Sequence, residues 1–234
     1  HRLPVKDSIL SYVGQQDPYS RDEWGRVTRS GIEAGLTRPL ENNWWLSGSA
    51  GFDLYKGERV WDNHSLQLDT AVGRTWWRGE DEFSAGLFAT ARHFRRNSDF
   101  HTFGHGGYYS PELMTMVGPF VRYRTALCRT AWIDLQAATG WLHQRLDRSP
   151  FYPLFSGDTT GFAPAAAAEA NGEYAADSDN KIGFSLKLQG MRLVTPHIAA
   201  GGFAGLDNSS DSSEWVVGAG LQIFFEPQHR FWKR

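Results

Sequence analysis

Residues 44–54 read Trp44-Trp45-Leu46-Ser47-Gly48-Ser49-Ala50-Gly51-Phe52-Asp53-Leu54. Trp44, Leu46, Ala50, Phe52 and Leu54 occupy even positions, whereas Ser47, Ser49, Gly51 and Asp53 occupy odd ones. A period of two belongs to a strand with one face in an apolar medium and the other in water. The pattern recurs on both sides of this stretch. Leu66, Leu68, Val72 and Trp76 alternate with Gln67, Asp69, Gly73 and Thr75. Ala131, Ile133, Leu135, Ala137 and Trp141 alternate with Trp132, Asp134, Gln136 and Gly140. Ile182, Phe184, Leu186 and Leu188 alternate with Ser185, Lys187 and Gln189, and Trp215, Val217, Ala219, Leu221, Ile223 and Phe225 share one face near the end. Such alternation predicts about ten strands, over residues 7–13, 24–37, 44–55, 63–77, 83–95, 113–124, 130–143, 181–194, 197–206 and 214–225.

The connections between these strands alternate in length. Residues 38–43, 79–82, 125–129 and 195–196 are brief, whereas 14–23, 56–62, 96–112, 144–181 and 206–213 are longer and rich in Gly, Asn, Asp and Ser. Outer-membrane barrels pair short periplasmic turns with long external loops. The expected fold is therefore all-β, an antiparallel transmembrane β-barrel over residues 1–225, followed by a tail at 226–234. Its expected location is a bacterial outer membrane, with both chain ends periplasmic. A soluble sandwich or lipocalin-like barrel would use the same alternation with the apolar face packed inward. Against that stand strands longer than the usual globular length, and polar faces that mix Asp, Arg, Gln and Gly as a wet lumen does. Residues 162–177, with four alanines at 165–168, break the pattern and suit either a short helix or a low-complexity excursion in a loop.

Composition agrees with a barrel. The chain has 234 residues, 21% of them charged, and a mean hydropathy of −0.46. No run approaches the roughly 18 apolar residues of a spanning helix, but a barrel dilutes each strand with lumen-facing polar residues. A net charge of −2 offers no basic surface for nucleic acid. Ten Trp, eight Tyr and fifteen Phe, massed at strand ends, suit interfacial girdles. Cys128 is the only cysteine, which leaves no intrachain disulfide and no cysteine-based zinc site. The chain opens at His1 without a Met or a secretory leader, as a piece of a longer, processed polypeptide would.

Three stretches carry a family resemblance. They are Val5-Lys6-Asp7-Ser8-Ile9-Leu10-Ser11-Tyr12-Val13-Gly14, Trp24-Gly25-Arg26-Val27-Thr28-Arg29-Ser30-Gly31, and Phe103-Gly104-His105-Gly106-Gly107-Tyr108-Tyr109-Ser110-Pro111. With them the chain resembles the C-terminal β-barrel domain of the outer-membrane component of bacterial cellulose synthase. The resemblance is firmest over residues 5–125 and looser through 145–180. It implies a passive channel exporting cellulose, a β-1,4-glucan, from the periplasm to the cell surface. It also implies a sixteen-stranded barrel of which this chain is the C-terminal part, preceded by periplasmic tetratricopeptide repeats and served by an inner-membrane cellulose synthase. The chain itself shows about ten strands and none of those repeats, and an independent ten-stranded barrel would be narrow for a polysaccharide.

A neutral glucan presents apolar sugar faces rimmed by hydroxyls. By parity, the lumen candidates to meet it are Trp45, Asp53, Asp69, Trp77, Arg92, Arg122, Trp132, Asp134, Gln136, Lys187 and Gln189. Alternatively these residues pair with one another, Asp134 with Arg122 or Lys187 for example. Gly104, His105, Gly106, Gly107, Tyr108, Tyr109 and Pro111 fall in an expected external loop. It suits a gate at the extracellular mouth, or a segment folded inward to brace the wall with His105 as its anchor. His93, His101 and His105 do not match a metal-binding spacing, and the reading requires no metal and no cofactor. Two other function classes remain: a barrel enzyme acting on lipid or glycan, and a plugged structural or adhesive surface barrel. No G-x-S-x-G is present, Ser49 lying in Ser47-Gly48-Ser49-Ala50-Gly51.

Overall fold

The computed structural model describes residues 25–155, 171–208 and 214–228. Alternating segments pair in sequence order, because each brief turn returns the chain beside the strand it has just left. The long strands are β1 (Gly25–Pro39), β2 (Trp44–Glu58), β3 (Asn63–Arg78), β4 (Asp81–Phe94), β5 (Leu113–Cys128), β6 (Ala131–Leu146), β9 (Asp177–Thr195), β10 (Ile198–Asp207) and β11 (Glu214–Ile223). Together they form one nine-stranded antiparallel sheet in the order β1-β2-β3-β4-β5-β6-β9-β10-β11, curled into a half-barrel. Two short strands, β7 (Ser149–Pro150) and β8 (Glu173–Tyr174), pair with each other within the long connection between β6 and β9.

Nine of the expected strands are thus present, while the one expected at 7–13 lies outside the described residues. So do 162–170 of the alanine-rich stretch and 229–234 of the tail. The last strand stops at Ile223, two residues short of the expectation. There the Phe224 amide donates to the His197 carbonyl at 2.8 Å and the Gln228 amide to Pro196 at 2.7 Å. The chain therefore bends at 225–226 and stays beside the β9–β10 turn.

Register fixes which side chains share a face. Ladder partners run Leu46↔Val72, Val72↔Leu87 and Leu87↔Pro119, continuing to Leu135↔Leu188 farther round the sheet. These residues lie on the convex side, and the great majority of them are exposed. Leu66 is 54% exposed, Leu87 58%, Val117 56% and Ile182 67%. The buried apolar cluster is small by comparison. It joins Val27, Tyr55, Val60 and Phe94 at the long-loop end, with Phe103 and Tyr108 packed against it. An apolar surface this continuous marks a contact face rather than a solvated one.

Curling crowds the concave side, and glycine relieves it there. A Cβ at Gly118 would fall on the Thr139 carbonyl oxygen and 2.5 Å from Gly140 Cα. The neighbouring Pro119 has no N–H to give to the ladder, and the β5–β6 ladder passes over Gly118 and Pro119 between Val117↔Trp141 and Phe120↔Ala138. Gly118→Ala is accordingly expected to destabilise the sheet by about 1–3 kcal/mol. Its urea unfolding midpoint in lipid vesicles should fall below that of the unmodified protein. An unchanged midpoint would mean that the bend relaxes at no cost.

Candidate functional site

The concave face is the candidate site. The ladders place Trp45, Asp53, Asp69, Trp77, Arg92, Arg122, Trp132, Asp134, Gln136, Lys187 and Gln189 all on it. Asp53, Asp69, Arg92, Arg122 and Asp134 are hydrogen-bonded in local groups. Arg29 Nη2 donates to Asp53 Oδ2 at 2.7 Å. Asp69 accepts from Gln67 Nε2 at 2.6 Å, from Thr90 Oγ1 at 2.6 Å and from Ser49 Oγ at 3.4 Å, while Arg92 donates to Gln67 Oε1. Arg122 Nε reaches both oxygens of the buried Asp134 carboxylate, at 3.1 and 3.0 Å, and Gln136 Nε2 adds a bond at 3.2 Å.

Pairing of Asp134 thus falls to Arg122. Lys187 and Gln189 lie opposite Gln136 and Asp134 on β9. Trp132 lies beneath the Arg124 guanidinium, 4.7 Å from ring centroid to Cζ, a cation–π contact. Trp77, near the short-turn end of β3, is 53% exposed.

Several participants escaped sequence reasoning. Arg29, Gln67 and Thr90 are drawn in only as partners of acids that parity had selected. Phe120 shares the inward parity of Arg122, but Val117-Gly118-Pro119-Phe120-Val121 is apolar on both faces and hides it. Its ring lies 5.7 Å, centroid to centroid, from that of Trp45, across the two intervening strands.

At the long-loop end, the connection 95–112 folds inward over the concave face. Gly104 and Gly107 take φ of +94° and +64°, a region that favours glycine. Gly104 forms a parallel bridge to Val60, and its carbonyl accepts from the Trp61 amide at 2.8 Å. The Gly106 amide donates to Ser98 Oγ at 2.7 Å, and the Ser98 amide donates to Ser110 Oγ at 2.6 Å. Tyr108 stacks on Tyr55 with centroids 4.8 Å apart and planes inclined by 13°. Tyr109 Oη donates to Gln144 Oε1 at 2.6 Å, and Pro111 is buried, its carbonyl accepting from the Phe94 amide at 3.2 Å. Burial pushes the Tyr108 hydroxyl well above the ordinary tyrosine range.

His105 is fully buried and anchors this loop to the next one. Its Nε2 donates to the Pro150 carbonyl at 2.8 Å, and its ring meets Phe100 and Tyr174 edge-on. Phe100 and Tyr174 stack at 3.5 Å, so the β7–β8 pair is held against the same loop. Among the described residues, no three His, Cys, Asp or Glu side chains converge on a metal-sized site.

Burial lowers the His105 pKa from its usual 6.5, and the Pro150 carbonyl only partly opposes this. An imidazole whose pKa is depressed by folding binds fewer protons folded than unfolded, so the loop gains stability as pH rises. That stability should be complete above about pH 6.5 and decline as pH falls toward the lowered folded value. Hydrogen exchange of the Gly106 and Gly107 amides is expected to quicken over that window, beyond the intrinsic pH dependence of exchange. Protection that stays flat across it would show that His105 does not hold the loop.

The sequence matches the family model described as cellulose synthase operon protein C C-terminus over residues 1–226. Relatives named cellulose synthase operon protein C include that of Pseudomonas fluorescens SBW25, 28% identical over 96% of this chain and 17% of the relative. The protein from Xanthomonas axonopodis pv. citri is 28% identical over 92% of this chain and 15% of its own length. That from Escherichia coli K12 is 26% identical over 95% of this chain and 18% of its own length. The chain therefore spans less than a fifth of these relatives. A curled antiparallel half-barrel, a match over nearly every residue and a consistent set of relatives lead to one conclusion: this chain belongs to the family of cellulose synthase operon protein C C-terminal domains.

Proposed function

We propose that this domain forms the wall of an outer-membrane channel through which cellulose, or a close β-glucan, leaves the periplasm. The observation that carries the reading is the inverted polarity of the sheet. Large apolar side chains cover the convex face, while ion pairs and amides line the concave one. On β3 the convex run from Leu66 to Trp76 covers about 25 Å along a barrel axis, at about 3.3 Å per residue and a tilt of about 40°. That matches the apolar band of an outer-membrane barrel. Trp76 and Phe83 pack together near the short-turn end of this face, with centroids 5.6 Å apart, and Trp141 lies toward the opposite end. Both placements suit interfacial girdles. In this reading the two sheet edges left open among the described residues, at β1 and β11, are closed by further strands of the barrel. Synthesis at the inner membrane, not this domain, drives the polymer, and the upstream repeats guide it to the pore.

The loop folded over the concave face favours a lumen closed at rest, as in a gate or in a plugged barrel. Conductance of the full-length protein in planar bilayers separates these. An ion current that cellohexaose blocks reversibly supports the channel. A barrel that inserts and carries no current under any applied voltage removes the channel and leaves the plugged structural role. Hydrolysis of lipid or glycan by the purified protein would instead establish a barrel enzyme.

A further inference from the structure

Two aromatic rings on the concave wall lie over glycines. A Cβ at Gly73 would stand 2.6 Å from Trp45 Cζ2 and 3.1 Å from Phe120 Cζ, and one at Gly86 would stand 2.8 Å from Phe120 Cε1. Absent Cβ atoms on β3 and β4 therefore let rings from β2 and β5 reach toward each other flat against the wall. The indole is oriented as well as accommodated. Its Nε1 donates to Thr75 Oγ1 at 3.1 Å, and Thr75 in turn shares a hydrogen bond of 2.8 Å with Ser84. With planes inclined by 43°, the two rings form a shallow trough. Across the same cavity, of about 1090 Å³, Phe203 is 40% exposed and covers Gly218 in the same manner.

We infer that Trp45 and Phe120 form a stacking site for the apolar face of a β-linked pyranose. The inference rests on the channel reading and names where the polymer is held. Carbohydrate fits the surroundings better than lipid or a charged polymer. The walls of this cavity carry Glu82 and Asp207 against Arg122 and Lys187, acids and bases in equal number, which selects no ionic ligand. They also present hydroxyls, amides and a guanidinium around flat apolar surface. A pyranose with equatorial hydroxyls has the complementary form, apolar C–H faces with donors and acceptors at the rim. Gly73 and Gly86 keep the trough open, because a side chain at either position would lift a ring out of it.

The test is the block of ion current by cellohexaose in the full-length protein, comparing the unmodified pore with Trp45→Leu/Phe120→Leu. Leucine keeps apolar cover over the glycines and removes the flat faces. The double variant is expected to insert and to shorten each blocking event about tenfold. Blocking events of unchanged duration would overturn the stacking site while leaving the channel reading intact. Absence of any block in the unmodified pore would overturn both. Should the double variant fail to insert, Phe120→Leu alone decides, with a shortening of severalfold expected and unchanged duration overturning the inference.

Discussion

Leu186→Arg is expected to prevent stable insertion, whereas Lys187→Ala should insert like the unmodified protein. Both residues sit mid-strand on β9, one position apart, and differ in the face they occupy. Leu186 is 45% exposed on the convex side, opposite Ala137 on β6 and Leu206 on β10. In the proposed channel that surface meets hydrocarbon, where an arginine near the midplane costs about 2–4 kcal/mol. Lys187 faces the concave side opposite Gln136, where water can replace the lost ammonium. Folding into lipid vesicles, followed by resistance to heat-induced mobility shift on gels, measures the difference. Equal yields for the two variants would show that the convex face does not meet lipid.

Replacing Tyr108 and Tyr109 together by alanine should leave the strands paired and open the mouth. Tyr108 belongs to the buried cluster beside Tyr55 and Phe94, and removing such a ring costs about 3–5 kcal/mol. Tyr109 adds the hydrogen bond to Gln144. The loss is confined to the loop, because the β3–β4, β4–β5 and β5–β6 ladders make no use of either side chain. Small-solute leak and open-pore conductance are expected to rise while heat resistance on gels persists. Failure to assemble would make the loop a brace that the wall requires. Normal assembly with unaltered conductance and glucan export would remove the tyrosines from transport altogether.

The two variants probe different levels of legibility. The face of Leu186 was readable in the chain, since a strand has a side-chain period of two and one apolar set per strand leaves no choice of face. Alternation therefore assigned Trp45, Asp69, Arg122 and Asp134 to the same side before any pairing was known. Each brief connection likewise foretold an antiparallel neighbour, because a brief turn admits no other partner. The place of Tyr108 was not readable in this way. Its loop has no period, and the two readings of it, at the mouth or folded inward, differ only in contacts made by distant segments.

Local alternation by itself determined the strands and which side chains of each share a face, because a side-chain period of two depends only on neighbours in the chain. Only tertiary structure decided that Arg122 rather than Lys187 pairs with Asp134, since both lie within one strand of β6 and the choice turns on side-chain reach. Only tertiary structure brought Phe120 to Trp45 over Gly73 and Gly86, a meeting across two strands set by how tightly the sheet curls. It also buried His105 against Pro150, 45 residues away in sequence, a contact between two separate loops that no local period fixes.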